Sequence, residues 1–350
     1  MSKPIPESSP DPASVRTLPE RLSRHAGSLG RSPGFLIAAA GLVASAAFAH
    51  YQQTRVEKQY PPRGRFVEAE GVRLHYVEQG LQEASAPVLV LLHGAGSLAE
   101  DFLRCPFTEQ AARTHRVIIF DRPGYGYSER PRDRIWGPVT QAELLHGALQ
   151  KLGVERATIL GHSWGTLVAI AMAIEHPRSV SGLVLLGGYY YPTARPDALL
   201  SAPPAMPVVG DLLRRTVTPL AMRLAWPGTL RLLFAPAEVP QGFRDMPPWL
   251  LLRPQHLRAL TEETALIVAA AASLSSRYRE LRQPVVIMSG AGDRLLSPAN
   301  HSARLRQELA HADYVELPGV GHMLHHAEPE PILRAISRVE AGSGRGDADE

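Results

Sequence analysis

The stretch Thr158-Ile159-Leu160-Gly161-His162-Ser163-Trp164-Gly165-Thr166-Leu167-Val168 constrains the fold more than any other part of the chain. A short β-favouring run stops at Gly-x-Ser-x-Gly, and a helix pattern of small and apolar residues (Leu167, Val168, Ile170, Ala171, Ile174) begins at once. The spacing predicts strand, tight bend, helix. Such a bend brings strand and helix so close that positions two before and two after its centre must be nearly free of side chain, as Gly161 and Gly165 are. Ser163 then presents its hydroxyl at the carboxyl end of a sheet, with helix N-H groups behind it to meet a developing negative charge. A merely structural glycine turn is the competing reading, and the strand before and helix after favour a nucleophile.

Upstream the pattern is that of short strands. Phe66–Ala69 and Val72–Val77 flank the turn pair Glu70-Gly71, a hairpin signal. Val88–Leu92 and Val117–Phe120 are continuous aliphatic runs, as expected of strands buried on both faces of a mainly parallel sheet. The first ends in His93-Gly94-Ala95-Gly96-Ser97, a loop that lets a backbone N-H approach a substrate without an intervening Cβ. The second ends in Asp121-Arg122-Pro123-Gly124-Tyr125-Gly126-Tyr127-Ser128. Its Gly-x-Gly lacks the third glycine and the downstream acid of a dinucleotide fingerprint, so no cofactor is expected.

Downstream, Val180–Leu186 and Pro284–Met288 read as further strands, the latter leading to Ser289-Gly290-Ala291-Gly292-Asp293. Tyr314–Leu317 is the last, followed by Pro318-Gly319-Val320-Gly321-His322. An Asp or His in a glycine loop is commonly a turn residue or simply exposed. Here both follow buried strands on the sheet edge that carries Ser163, where ligands bind in parallel α/β sheets, and the order is Ser163, Asp293, His322. His325 and His326 are rivals for His322, and with His93 they invite a metal reading. No Asp or Glu at ligand spacing accompanies them, so no metal is expected. Cys105, the single cysteine, reads as structural.

His93-Gly94, the Asp121–Ser128 block and Gly161–Gly165 stand in the order, and near the separations, of the α/β-hydrolase superfamily, which the chain resembles from about residue 65 to about 339. The resemblance implies an eight-stranded, mainly parallel sheet flanked by helices, with Ser163 as nucleophile, Asp293 as acid and His322 as base. It also implies an oxyanion hole made by the N-H groups of Trp164 and Ala95. A core of 64–187 and 284–340 would then carry a mostly helical cap at 188–283. Helices are expected at Asp211–Ala225, Thr229–Phe234 and Thr261–Leu281, with Tyr189, Tyr190, Tyr191, Trp226, Phe234, Phe243 and Trp249 offering an apolar underside. The substrate expected is a small, largely apolar ester or related acyl compound. Other activities that keep a serine, among them C–C bond hydrolase, lactonase, aminopeptidase and perhydrolase, stay open, as does a non-catalytic binding protein on the same fold. Epoxide hydrolases and haloalkane dehalogenases use Asp where this chain has Ser163. An aminopeptidase would need acids in the cap, for which Glu238, Asp245, Glu262 and Glu263 are the candidates.

Residues 1–32 are rich in Pro, Ser and Arg and are expected to be disordered, as is the tail from Ala341 to Glu350. Between them and the strands, Ser32 to Thr54 carries no Asp, Glu, Lys or Arg, and the apolar part would cover about 24 Å as a helix. A single-pass anchor over 33–52 is the favoured reading; a signal peptide cut after Ala47-Phe48-Ala49 and a soluble amphiphilic helix are the alternatives. Lys and Arg number 37 against 34 Asp and Glu, an imbalance too small to point to nucleic acid.

Overall fold

The computed structural model describes residues 33–195, 203–327 and 329–346. The expected disorder of 1–32 and of 347–350 lies outside them. An apolar helix, α1 (Pro33–Gln59), precedes the sheet. The strands are β1 (Arg65–Ala69), β2 (Val72–Gly80), β3 (Val88–Leu92), β4 (Arg116–Phe120), β5 (Ala157–His162), β6 (Val180–Leu186), β7 (Val285–Gly290) and β8 (Asp313–Leu317). They form one eight-stranded sheet in the order β1-β2-β4-β3-β5-β6-β7-β8. β1 and β2 pair antiparallel, β2 is antiparallel to β4, and every later pairing is parallel.

Successive side chains along each inner strand point to opposite faces, so each aliphatic run supplies two cores. Val90, Leu92, Ile159 and Leu185 pack with α4 (Pro138–Lys151) and α5 (Trp164–Glu175). Leu89, Leu91, Leu160 and Val184 face the other way, against Phe102, Phe107, Ile332 and Ile336. Those last residues belong to α2 (Ala99–Leu103), α3 (Pro106–Ala111) and α10 (Pro329–Gly346), the last of which follows α9 (Ser302–Glu308). The predicted tail is therefore corrected over Ala341–Gly346, which continues α10. There a Cβ on Gly342 would lie 2.9 Å from Pro284 Cγ, so the helix runs directly against the start of β7.

Between β6 and β7 lie α6 (Val209–Arg215), α7 (Val217–Phe234) and α8 (Pro254–Ser275), with short turns at Gln241–Arg244 and Pro248–Leu251. Sequence reading stops a helix before Pro227, but α7 runs through it. Proline removes one internal hydrogen bond, and the carbonyl it strands, that of Arg223, belongs to an exposed residue of a helix whose buried residues are Pro219 and Phe234 alone. Tyr189, Tyr190 and Tyr191 are not the underside of a cap. They are buried in the main core, where the Tyr278 hydroxyl donates to Tyr190 O at 2.5 Å and the Tyr191 hydroxyl to Glu308 at 2.8 Å.

Candidate active site

Ser163 sits between β5 and α5 with φ 52° and ψ −118°. That left-handed backbone is costly for a residue with a side chain, and close packing maintains it. A Cβ on Gly161 would lie 2.5 Å from Gly165 O, and one on Gly165 would lie 2.1 Å from Leu92 O. Both glycines of the motif are thus forced by contact between strand, bend and helix.

The His322 ring meets Asp293 at 2.8 Å between Nδ1 and Oδ2. The carboxylate can only accept, so Nδ1 carries the proton and Nε2 presents a lone pair. The other oxygen of Asp293 accepts from the N-H groups of Leu295 at 2.8 Å and Leu296 at 2.9 Å. Burial works to raise the Asp293 pKa, but the charge and hydrogen bond of His322 and these two N-H groups outweigh it and hold the carboxyl below its usual range. The His322 backbone is pinned as well: its N-H donates to Leu233 O at 2.9 Å, and its carbonyl accepts from His162 Nε2 at 3.1 Å. Burial, with the neighbouring His325 and His322, pushes the His162 pKa well down, which keeps this second imidazole neutral.

Ser163, His322, Ala95 and Trp164 line one cavity of about 300 Å³. Its other walls are chiefly apolar: Met222, Trp226 and Leu233 of α7, Phe243, and Leu260 and Ile267 of α8. Of the aromatics expected over the site, Trp226 and Phe243 reach it, while Phe234 and Trp249 pack beside it. Arg195 is the charged side chain among the described lining residues, and none of the four candidate acids is there. Glu238 and Asp245 are exposed, Glu262 pairs with Arg130, and Glu263 is fully buried on Arg122. A second hollow, of about 330 Å³ beside Trp136 and Arg258, contains neither Ser163 nor His322.

Two buried networks that sequence reasoning missed brace these loops. Glu263 accepts from Arg122 at 2.6 and 3.0 Å, from the Tyr125 hydroxyl at 2.7 Å and from Gln141 at 2.9 Å. Arg122 in turn donates to His93 O at 2.7 Å, so helix α8 steadies the loop that bears Ala95. His93 accepts the Arg122 N-H on Nε2 and donates from Nδ1 to Gly94 O; burial and then the Arg122 charge lower its pKa to about 3. It is a brace for this turn and lies apart from His325 and His326.

Those two histidines instead share Asp101, at 3.2 and 2.5 Å, with Cys105 Sγ 3.6 Å from the ring of His326. The expectation that no acid accompanies them is corrected, because Asp101 arrives from α2 through the fold rather than through sequence spacing. The donor atoms of Asp101, Cys105, His325 and His326 lie within 4.8 Å of one another, a set that could hold a metal ion. Asp101 is already occupied by both rings and by the Ser97 hydroxyl at 2.6 Å, so a hydrogen-bond network accounts for the cluster. Burial and the Asp101 charge push the Cys105 thiol pKa well up, which makes it unreactive. The Asp121 block is a brace too: its carboxylate accepts the N-H groups of Ala99 and Tyr127 and faces His75 at 2.7 Å.

A family model described as "alpha/beta hydrolase fold" matches residues 87–329. The chain belongs to the α/β-hydrolase family. Among its relatives in that family, a 2-hydroxymuconate semialdehyde hydrolase of Pseudomonas putida is 37% identical over 130 residues, which is 37% of this chain and 45% of that protein. Haloalkane dehalogenase 2 of Mycobacterium tuberculosis is 26% identical over 284 residues, 79% of this chain and 94% of that one. Among solved α/β-hydrolase structures, a membrane phospholipase A superposes with a TM-score of 0.61 at 20% identity, covering 93% of this chain and 99% of the other, a likeness of fold. Hydrolase activity follows from the family and its named relatives.

Proposed function

We propose that this α/β-hydrolase cleaves a carboxylic ester or related acyl bond of a largely apolar substrate through an acyl-enzyme. The observation that carries the reading is the His322–Asp293 pair, whose ring shares an apolar cavity with a serine on a strained elbow. In the proposed reaction Ser163 Oγ attacks the carbonyl carbon as its proton passes to His322 Nε2. The oxyanion is held by the N-H groups of Ala95 and Trp164, and collapse expels the alcohol, which takes the proton from His322. Water, deprotonated by the same nitrogen, then attacks the acyl-enzyme; the acid leaves and Ser163 regains its proton. Asp293 holds the tautomer and stabilises the imidazolium.

The nucleophile argues against the dehalogenase activity named for one relative. A carboxylate displacing halide yields an alkyl ester, which water can open, whereas Ser163 would yield an unreactive ether. The absence of cap acids among the described cavity residues argues against an aminopeptidase. One second reading, C–C bond hydrolysis, is favoured by the semialdehyde hydrolase that is 37% identical over 130 residues. Helix α1 is long and apolar enough to cross a membrane, and attachment through it is part of the proposal.

Labelling by a fluorophosphonate probe, followed by turnover of p-nitrophenyl esters of graded chain length, tests the reading. Ser163→Ala should abolish labelling and lower kcat by about 10⁶-fold. Esterase activity retained in Ser163→Ala refutes it; a wild type active on dienoate ketones and inert to esters favours the second reading.

A further inference from the structure

The outward side of the cap is unusually apolar. Leu212 of α6 is 56% exposed, Val217 48% and Leu224 84%, and all eighteen positions of α7 include only Arg223 and Arg231 as charges. An isolated exposed leucine means little, but a helix with almost nothing buried and no acid is a surface that water does not stabilise.

This surface adjoins α1. The Ser45 hydroxyl donates to Thr216 O at 2.6 Å, at the junction of α6 and α7. Phe48 meets the edge of Trp249 at 5.8 Å, and Glu57 pairs with Arg253 at 3.3 Å. From Pro33 to Ala44 every residue of α1 except Ala39 is exposed; from Ser45 onward the helix runs along the cap.

The lengths then matter. The stretch before Ser45 rises about 18 Å, while a hydrocarbon core is about 30 Å thick. A bilayer that accommodates α1 must therefore reach about 12 Å further, to the level of Thr216 and beyond. At that depth it meets Leu212, Val217 and Leu224, with the exposed Arg223 and Arg231 of α7 facing anionic headgroups.

The geometry points to the α6–α7 hairpin as a second, interfacial membrane contact, seated in an anionic phospholipid bilayer beside α1. Because the other side of α7 supplies Met222, Trp226 and Leu233 to the cavity of Ser163, the substrate is an amphiphilic ester drawn laterally from the lipid. The surface stands by itself; the substrate class rests on the proposed esterase.

The test uses the full chain reconstituted in vesicles containing phosphatidylglycerol. An environment-sensitive fluorophore on Leu224→Cys should be quenched by acyl-chain-brominated lipid, whereas the same label on Glu83→Cys, in the exposed loop after β2, should not. The double variant L212D/L224D, at two positions that do not line the cavity, should hydrolyse a long-chain ester embedded in the vesicle about tenfold more slowly. A water-soluble short-chain ester should be turned over within about twofold of the wild-type rate. A Leu224 label as unquenched as the control, or unchanged hydrolysis of the embedded ester, overturns the proposal. Should the double variant lose both activities, the quenching result alone decides. A wild type inert to both esters with a quenched Leu224 label refutes the esterase and leaves the membrane contact standing.

Discussion

Replacing Glu263 by alanine tests the claim that helix α8 is bolted to the loop that bears Ala95. The carboxylate is fully buried and accepts two bonds from Arg122, one from Tyr125 and one from Gln141. Its removal leaves the Arg122 guanidinium charged, dry and without its anion. Breaking a buried pair from one side costs about 3–5 kcal/mol, a large share of the roughly 5–15 kcal/mol that hold a domain together. The double variant R122M/E263M removes both charges and restores apolar volume, so it should recover much of that loss. Urea unfolding at pH 7, followed by tryptophan fluorescence, gives the comparison. Activity supplies an independent reading: Arg122 supports His93 O, two residues before Ala95, so kcat on a soluble ester should fall by up to about 10²-fold, one oxyanion donor's worth. A single variant within about 1 kcal/mol of wild type, or a double variant less stable than the single, would refute the reasoning.

Asp293→Asn should leave the fold intact and cut kcat by about 10³-fold to 10⁴-fold, because the amide can donate to His322 and fix the wrong tautomer; near-normal turnover contradicts the assigned acid. Gly165→Ala, whose Cβ would meet Leu92 O at 2.1 Å, should yield little soluble protein, measured by expression against wild type. Acid should weaken the protein early. His93 and His256 are each brought to about 3, first by burial and then by Arg122 and Arg253 respectively. Both lie below the unfolded value, so the unfolded chain binds the extra protons. Their contribution is complete above about pH 6.5 and is lost as pH falls toward 3, by up to about 1.4 kcal/mol per pH unit for each ring. Urea midpoints that stay flat between pH 7 and 5 would contradict this.

The sheet was legible because buried parallel strands leave unbroken aliphatic runs: Val88–Leu92 and Val180–Leu186 have the bounds read from sequence. Loops that follow such parallel strands lie on one edge, which is why the pairing of Asp293 with His322, and the cavity that His322 shares with Ser163, could be anticipated from the chain. The helical segment between β6 and β7 was less legible. A proline inside a solvent-facing helix looks like a stop when only local rules are available, so α7 was split. Tyr189–Tyr191 look like a binding surface until the chain's immediate return to the core is visible. Arg122–Glu263 and Asp101–His325–His326 left no local signature, since their partners are 141 and more than 200 positions apart. Only tertiary packing produces them.

The amides of His322 and Met323 both donate to a single carbonyl at the end of α7, that of Leu233. The roof over the cavity is therefore also a bracket for His322. Any shift of that last turn would carry the backbone of His322 with it, so the shape of the hollow and the place of this imidazole are one mechanical variable.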